Sequence, residues 1–129
     1  MANEFLDPVG HQPAITGLVA AALEKGRIVK ITGNKTVGDA AATDTAFGVV
    51  LKETTAAGQQ VAIQLLKHRL RFSGVAAETL AAGDFWKAGA ANGAVQRVAK
   101  WIQGTDAESL KGGVVWSGGA ANATVELLA

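Results

Sequence analysis

Apolar positions along this chain recur with a period of two in short runs, and the runs come in two similar sets. Gly26 precedes Arg27-Ile28-Val29-Lys30-Ile31, and Gly83 precedes Asp84-Phe85-Trp86-Lys87-Ala88. Further on, Gly48-Val49-Val50-Leu51 leads through a small-residue loop to Val61-Ala62-Ile63-Gln64-Leu65. In the same way Gly113-Val114-Val115-Trp116 leads to Val125-Glu126-Leu127-Leu128. Runs rich in β-branched residues and bounded by glycine are strand signatures. A pattern met twice predicts a duplicated β unit rather than a solenoid, which needs three or more copies. Each unit reads as a glycine turn and three strands, with a variable excursion after the first strand, over about residues 23–73 and 80–128. The fold class expected is mainly β: one domain over 14–129, a small β-barrel or β-sandwich with one or two short helices.

The stretches between these runs are less regular. Ala14–Leu23 reads as a strand, because Ile15, Thr16 and Val19 surround Gly17. Val37–Thr45, rich in Ala, Asp and Thr, reads as a loop. Across Gln59–Phe72 the alternation swaps faces: Val61, Ile63 and Leu65 lie on one side, then Leu66, His68, Leu70 and Phe72 on the other. Such a phase change requires a bulge, a sharp twist or a strand that crosses between sheets. Ser73-Gly74 is expected to end that strand, and Ala94–Ile102 to form another. Thr105-Asp106-Ala107-Glu108 fits a capping box and predicts a short helix over Thr105–Lys111. Residues 1–13 carry Pro8 and Pro13, which block a helix and favour an extended arm.

Composition narrows the function classes. A chain of 129 residues buries roughly two-thirds of its unfolded surface, enough for one core. A net charge of +1 gives no long-range field to gather nucleic acid or anionic lipid. With no cysteine, disulfides and thiolate metal sites are excluded. The longest apolar run, Leu18–Leu23, falls far short of the ~20 residues of a membrane span. The amino terminus lacks the charged and apolar regions of a signal peptide.

Candidate chemistry is sparse. His11 and His68 belong to no metal-binding spacing, and Lys67 and Arg69 flank His68 with like charge. Ser73, Ser109 and Ser117 lie in no nucleophile elbow. Gly33-Asn34-Lys35-Thr36 lacks the glycine spacing of a phosphate loop and reads as a turn. No catalytic, cofactor or metal residues are expected, and an enzyme is not. The remaining candidates are contact residues. Phe5, Leu6 and Val9 are apolar residues on an arm too short to bury them. Lys67, Arg69 and Arg71 form one basic stripe on a strand. Trp101 stands in a mixed stretch and is the first choice among the tryptophans for a subunit contact.

The paired glycine-turn entries at Gly26 and Gly83, with Phe47-Gly48-Val49-Val50 and Gly112-Gly113-Val114-Val115 each followed by an Ala/Gly loop and a further strand, resemble the capsid cement (head decoration) proteins of tailed bacteriophages. The resemblance spans about residues 14–128. It implies a structural protein on the outer capsid surface of a virion, made in the host cytoplasm. It implies a homotrimer bound to the major capsid protein of an expanded shell, with neither nucleic acid nor membrane as partner. The alternative class is a head-fibre or carbohydrate- and cell-surface-binding β module. Lys100–Lys111 is longer than the resemblance leads one to expect.

Overall fold

The computed structural model describes residues 14–66 and 70–129. Among these residues are β1 (Ala14–Val19), β2 (Ile28–Gly33), β3 (Thr36–Asp39), β4 (Gly48–Val50) and β5 (Gln60–Leu65), then β6 (Arg71–Val75), β7 (Phe85–Ala88), β8 (Val98–Lys100), β9 (Gly113–Ser117) and β10 (Thr124–Leu128). The first five close into a barrel in the order β1-β3-β2-β4-β5. The second five form a sheet in the matching order β6-β10-β9-β7-β8. A parallel bridge between Ala76 and Val98 joins the ends of that sheet, where β1 runs parallel to β3 in the first half. Closure leaves few unpaired strand edges.

The expected duplication is present and is deeper than three strands. Each unit has five, because β1 and β6 precede the glycine turn and β3 and β8 lie inside the excursion. Ladder register sets the correspondence. Ile28 pairs with Val49 and Val29 with Gly48, as Phe85 pairs with Val114 and Trp86 with Gly113. Gly26 N–H donates to Val50 and Gly83 N–H to Val115, both at 2.8 Å. At these turns φ is +90° and +93°, a region glycine enters without steric cost. Gly48 and Gly113 form a second matched pair. A Cβ at Gly48 would stand 2.7 Å from the Gln64 carbonyl oxygen, and one at Gly113 would overlap that of Leu128.

The interiors correspond residue for residue. Val19, Leu23, Val29, Val37, Val50, Val61 and Ile63 fill the first barrel. Their counterparts Ala76, Leu80, Trp86, Val98, Val115, Val125 and Leu127 fill the second. The large residue has moved between strands. Phe47 packs against the first core, where the second unit has Gly112, and Trp86 fills the second core, where the first unit has Val29. Trp86 is fully buried, its indole N–H donates to the Leu128 carbonyl at 3.0 Å, and Phe72 meets its ring edge-on at 5.6 Å.

The phase change along Gln59–Phe72 is the passage from one sheet to the other: β5 ends at Leu65 and β6 begins at Arg71. Several local expectations are corrected. Val37 lies in a strand, β3, since closure of the barrel pairs it with Ile31 and Val19 despite its small neighbours. Ser73 and Gly74 lie inside β6, paired with Glu126 and Val125. Ala94–Ile102 shortens to β8, because residues 94–96 serve as a clasp described below. The helix expected over Thr105–Lys111 is a single 3-10 turn, Glu108–Leu110, with Ala107 at its N-cap and no side-chain cap bond. Asp106, not Thr105, organises this segment by accepting from Ile102 N–H at 2.7 Å. No helix among the described residues is long and apolar enough to cross a membrane.

Candidate interaction surface

The two barrels meet along one face of the first. Ile28, Ala40, Val49 and Leu66 point away from their own core and pack into the same apolar cluster as the interior of the second barrel. Gln96 pins this junction. Its Oε1 accepts from Ile28 N–H at 2.7 Å, and its Nε2 donates to the carbonyls of Ile28 at 2.6 Å and Ala40 at 3.2 Å. Arg27 adds a bond to the Ala94 carbonyl at 2.6 Å and pairs with Glu24 at 2.8 Å. A side-chain amide presents an N–H donor and a C=O acceptor side by side, with a second N–H to spare for Ala40, so Gln96 imitates a strand neighbour of Ile28.

Among the described residues, three depressions stand out. One, about 450 Å³, lies along the junction between Glu24–Ile28 and Ser73–Val75. A second, about 550 Å³, lies on the outer side of the second barrel, between Gly83, Val114, Trp116 and Leu128. A third, about 170 Å³, is the mouth of the first barrel, lined by Ile15, Ile31, Lys35 and Phe47. The last two are apolar in chemistry and border exposed residues: Trp116 is 57% exposed, Ile31 60% and Ile15 44%. In the first, the Glu24 carboxylate is taken up by the Arg27 guanidinium at 2.8 Å. Among the described residues no group of three or more His, Asp or Glu lies close enough to share a metal ion.

Charged groups act as latches on the excursions. Lys30 on β2 bonds Asp44 at 2.8 Å, and its counterpart Lys87 on β7 bonds Asp106 at 2.6 Å. The lysine hydrogen bond, joined by a backbone N–H from Ala41 or Ile102, holds each carboxyl below the ordinary carboxylate value. The excursion of the second unit is longer, yet the same latch fastens it.

The contact residues expected from sequence are scattered. Phe5, Leu6 and Val9 lie outside the described residues, as do His11, Lys67, His68 and Arg69. Arg71 opens β6, is exposed, and stands 3.5 Å from Glu126, which offsets its charge. Trp101 offers a partner little surface: it is 5% exposed, its indole N–H donates to the Ala107 carbonyl at 2.9 Å, and Phe85 meets it edge-on at 5.8 Å. Lys111 Nζ sits 4.5 Å from the centres of both rings, a cation–π arrangement. The exposed aromatics are instead Phe85 and Trp116. The signal for them was present in the repeat. Aligning Gly26-Arg-Ile-Val with Gly83-Asp-Phe-Trp puts Trp86 inside and Phe85 outside, and the alternation on β9 turns Val115 in and Trp116 out.

These features define a tandem duplicated β-barrel protein whose distinctive chemistry is apolar surface rather than a cleft. Among solved structures it is similar to the head fibre gp8.5 N base of bacteriophage phi29, at 16% identity and a TM-score of 0.61, over 92% of this chain and 93% of that one. No family model matches the chain, and neither does any curated protein sequence.

Proposed function

We propose that this chain is a structural protein of a bacteriophage head, seated as a trimer on the outer surface of the expanded shell, where it ties major capsid protein subunits together. The observation that carries this reading is the fold likeness to a head-fibre base, which extends over 92% of this chain and 93% of that one. The duplicated-β resemblance in the sequence points the same way. The work of such a protein is binding, without a catalytic step or a cofactor. Phe5, Leu6 and Val9 are assigned to the shell: an apolar arm laid along a capsid strand gains main-chain hydrogen bonds and buries its side chains. Three arms on one trimer multiply weak contacts into tight attachment. Lys67, Arg69 and Arg71 are assigned to contacts with an acidic patch of the shell.

The test is co-sedimentation with expanded and unexpanded heads of the phage that encodes the chain. Saturable binding to expanded heads, with a rise in the temperature at which they open, is expected. Absence of binding overturns the reading. Deleting residues 2–13 lowers the saturation level if the arm is the shell contact. The fold likeness also favours a second reading, a base from which a fibre projects. A fibre base binds heads without raising their opening temperature, which separates the two.

A further inference from the structure

The duplication exposes a face that the chain itself shows how to cover. In the first barrel the outward pair Ile28 and Val49 is 3% and 4% exposed, because the second barrel sits on it. The corresponding pair on the second barrel, Phe85 and Val114, is open: Phe85 is 40% exposed, Val114 is half-buried, and Trp116 beside them is 57% exposed. The other side of the junction is also repeated. It is built in the second barrel from Ser73–Val75 and the clasp at Ala94–Gln96. By ladder register Ser73, Gly74 and Val75 correspond to Thr16, Gly17 and Leu18 of β1. Counting back from the matched residues Val98 and Val37, Gln96 corresponds to Lys35. That face is uncovered too: Leu18 is 37% exposed, and Lys35 and Thr16 are exposed.

Each chain thus contains one satisfied junction and the two unmatched halves of another. We propose that the Phe85–Val114–Trp116 face of one copy seats on the Thr16–Leu18 and Lys35 face of a second copy, repeating head to tail the contact that joins the two barrels within a chain. The occupant is another copy of this chain, because the β1–β3 side of the first barrel repeats the segments that face Ile28 across the junction, Ser73–Val75 along the depression and Gln96 by direct hydrogen bonds. A contact between unlike faces propagates until rotation brings it back to its start. Three copies closing in this way give a ring of six barrels. The inference rests on the proposed function only for the number of copies, and its test uses no shell.

The chain has no cysteine, so engineered thiols report without background. Because Gln96 bonds directly to Ile28, the matching pair across copies is Lys35 and Phe85. Phe85→Cys and Lys35→Cys variants are purified separately, mixed at high micromolar concentration under mild oxidation, and resolved without reductant. The mixture is expected to give a covalent dimer of unlike chains, with neither variant cross-linking alone. A chain carrying both cysteines is expected to give covalent oligomers. Adding Val114→Glu and Trp116→Glu to the Phe85→Cys chain should slow the mixed cross-link about tenfold or more, since charge cannot be desolvated at the centre of an apolar contact. Circular dichroism melts confirm that each variant is folded. Cross-linking of Phe85→Cys with itself would mean a two-fold contact and overturn the proposal. Folded variants that give no mixed cross-link overturn it as well, and protection of the Phe85 face on expanded heads alone would then assign that face to the shell.

Discussion

The two barrels solve one packing problem with different residues. In the first, Phe47 comes in ahead of β4 and Val29 on β2 stays small. In the second, Trp86 on β7 occupies the interior and Gly112 ahead of β9 gives way, so that any Cβ at Gly112 would run into the indole ring. Each interior receives one large aromatic ring while the position that supplies it changes, the kind of compensating exchange that cores tolerate best. The lesson extends to the surface. The same outward pair is buried in one barrel by its sister and left open in the other, so two copies of one fold present different faces.

The largest effect should come from forcing the second barrel to adopt the solution of the first. Gly112→Phe alone drives a second aromatic ring into Trp86 and is expected to destabilise the native fold strongly. Adding Trp86→Val should restore it, with a coupling in a double-mutant cycle at the upper end of the ~0.5–3 kcal/mol range for residues in contact. Independent effects of the two changes would break the correspondence between the barrels. Ile63→Ala and Leu127→Ala, matched core positions, should each cost about 2–5 kcal/mol in denaturant melts. A much smaller loss at one would show that its barrel is not closely packed. Gln96→Ala leaves the Ile28 N–H and two carbonyls without their side-chain partner, a loss of about 1–3 kcal/mol for a buried polar group. Its melt should also lose cooperativity if the junction is what makes the barrels unfold together.

The smallest effects are at the latches. Asp44 and Asp106 have folded-state pKa values below the ordinary 3.8, so their contribution is present at neutral pH and disappears as pH falls through those lowered values. Asp44→Asn and Asp106→Asn should therefore lower the melting temperature slightly at pH 7 and not at the acid end. An equal change at both pH values would remove the latches from the account.

Much of the fold was legible because closure of a small barrel writes itself as glycine, then alternation. Gly26 and Gly83 marked the strand entries, and the face swap before Phe72 marked the step between sheets. What escaped was encoded in partners rather than in local pattern. The Thr36–Asp39 strand has small residues and is held by β1 and β2 on either side. The exchange of Phe47 for Trp86 blurs the repeat just where its cores are largest. Thr105 and Glu108 had the spacing of a cap, but the turn at Glu108–Leu110 has no side-chain cap, and the segment is held instead by Asp106, which accepts from Lys87 and from Ile102 N–H. Of the surface, Arg71 and Trp101 were singled out by residue type. Phe85 and Trp116 could be found only by carrying the inward and outward register from one unit to the other.

The account stands most directly on a density map of the assembled protein, fine enough to trace strands. It predicts a barrel of a neighbouring copy against Phe85 and Val114, seated as the second barrel is seated on Ile28 and Val49. Bulk solvent over that pair in the assembled oligomer, or a neighbour meeting it through the same pair, would contradict it.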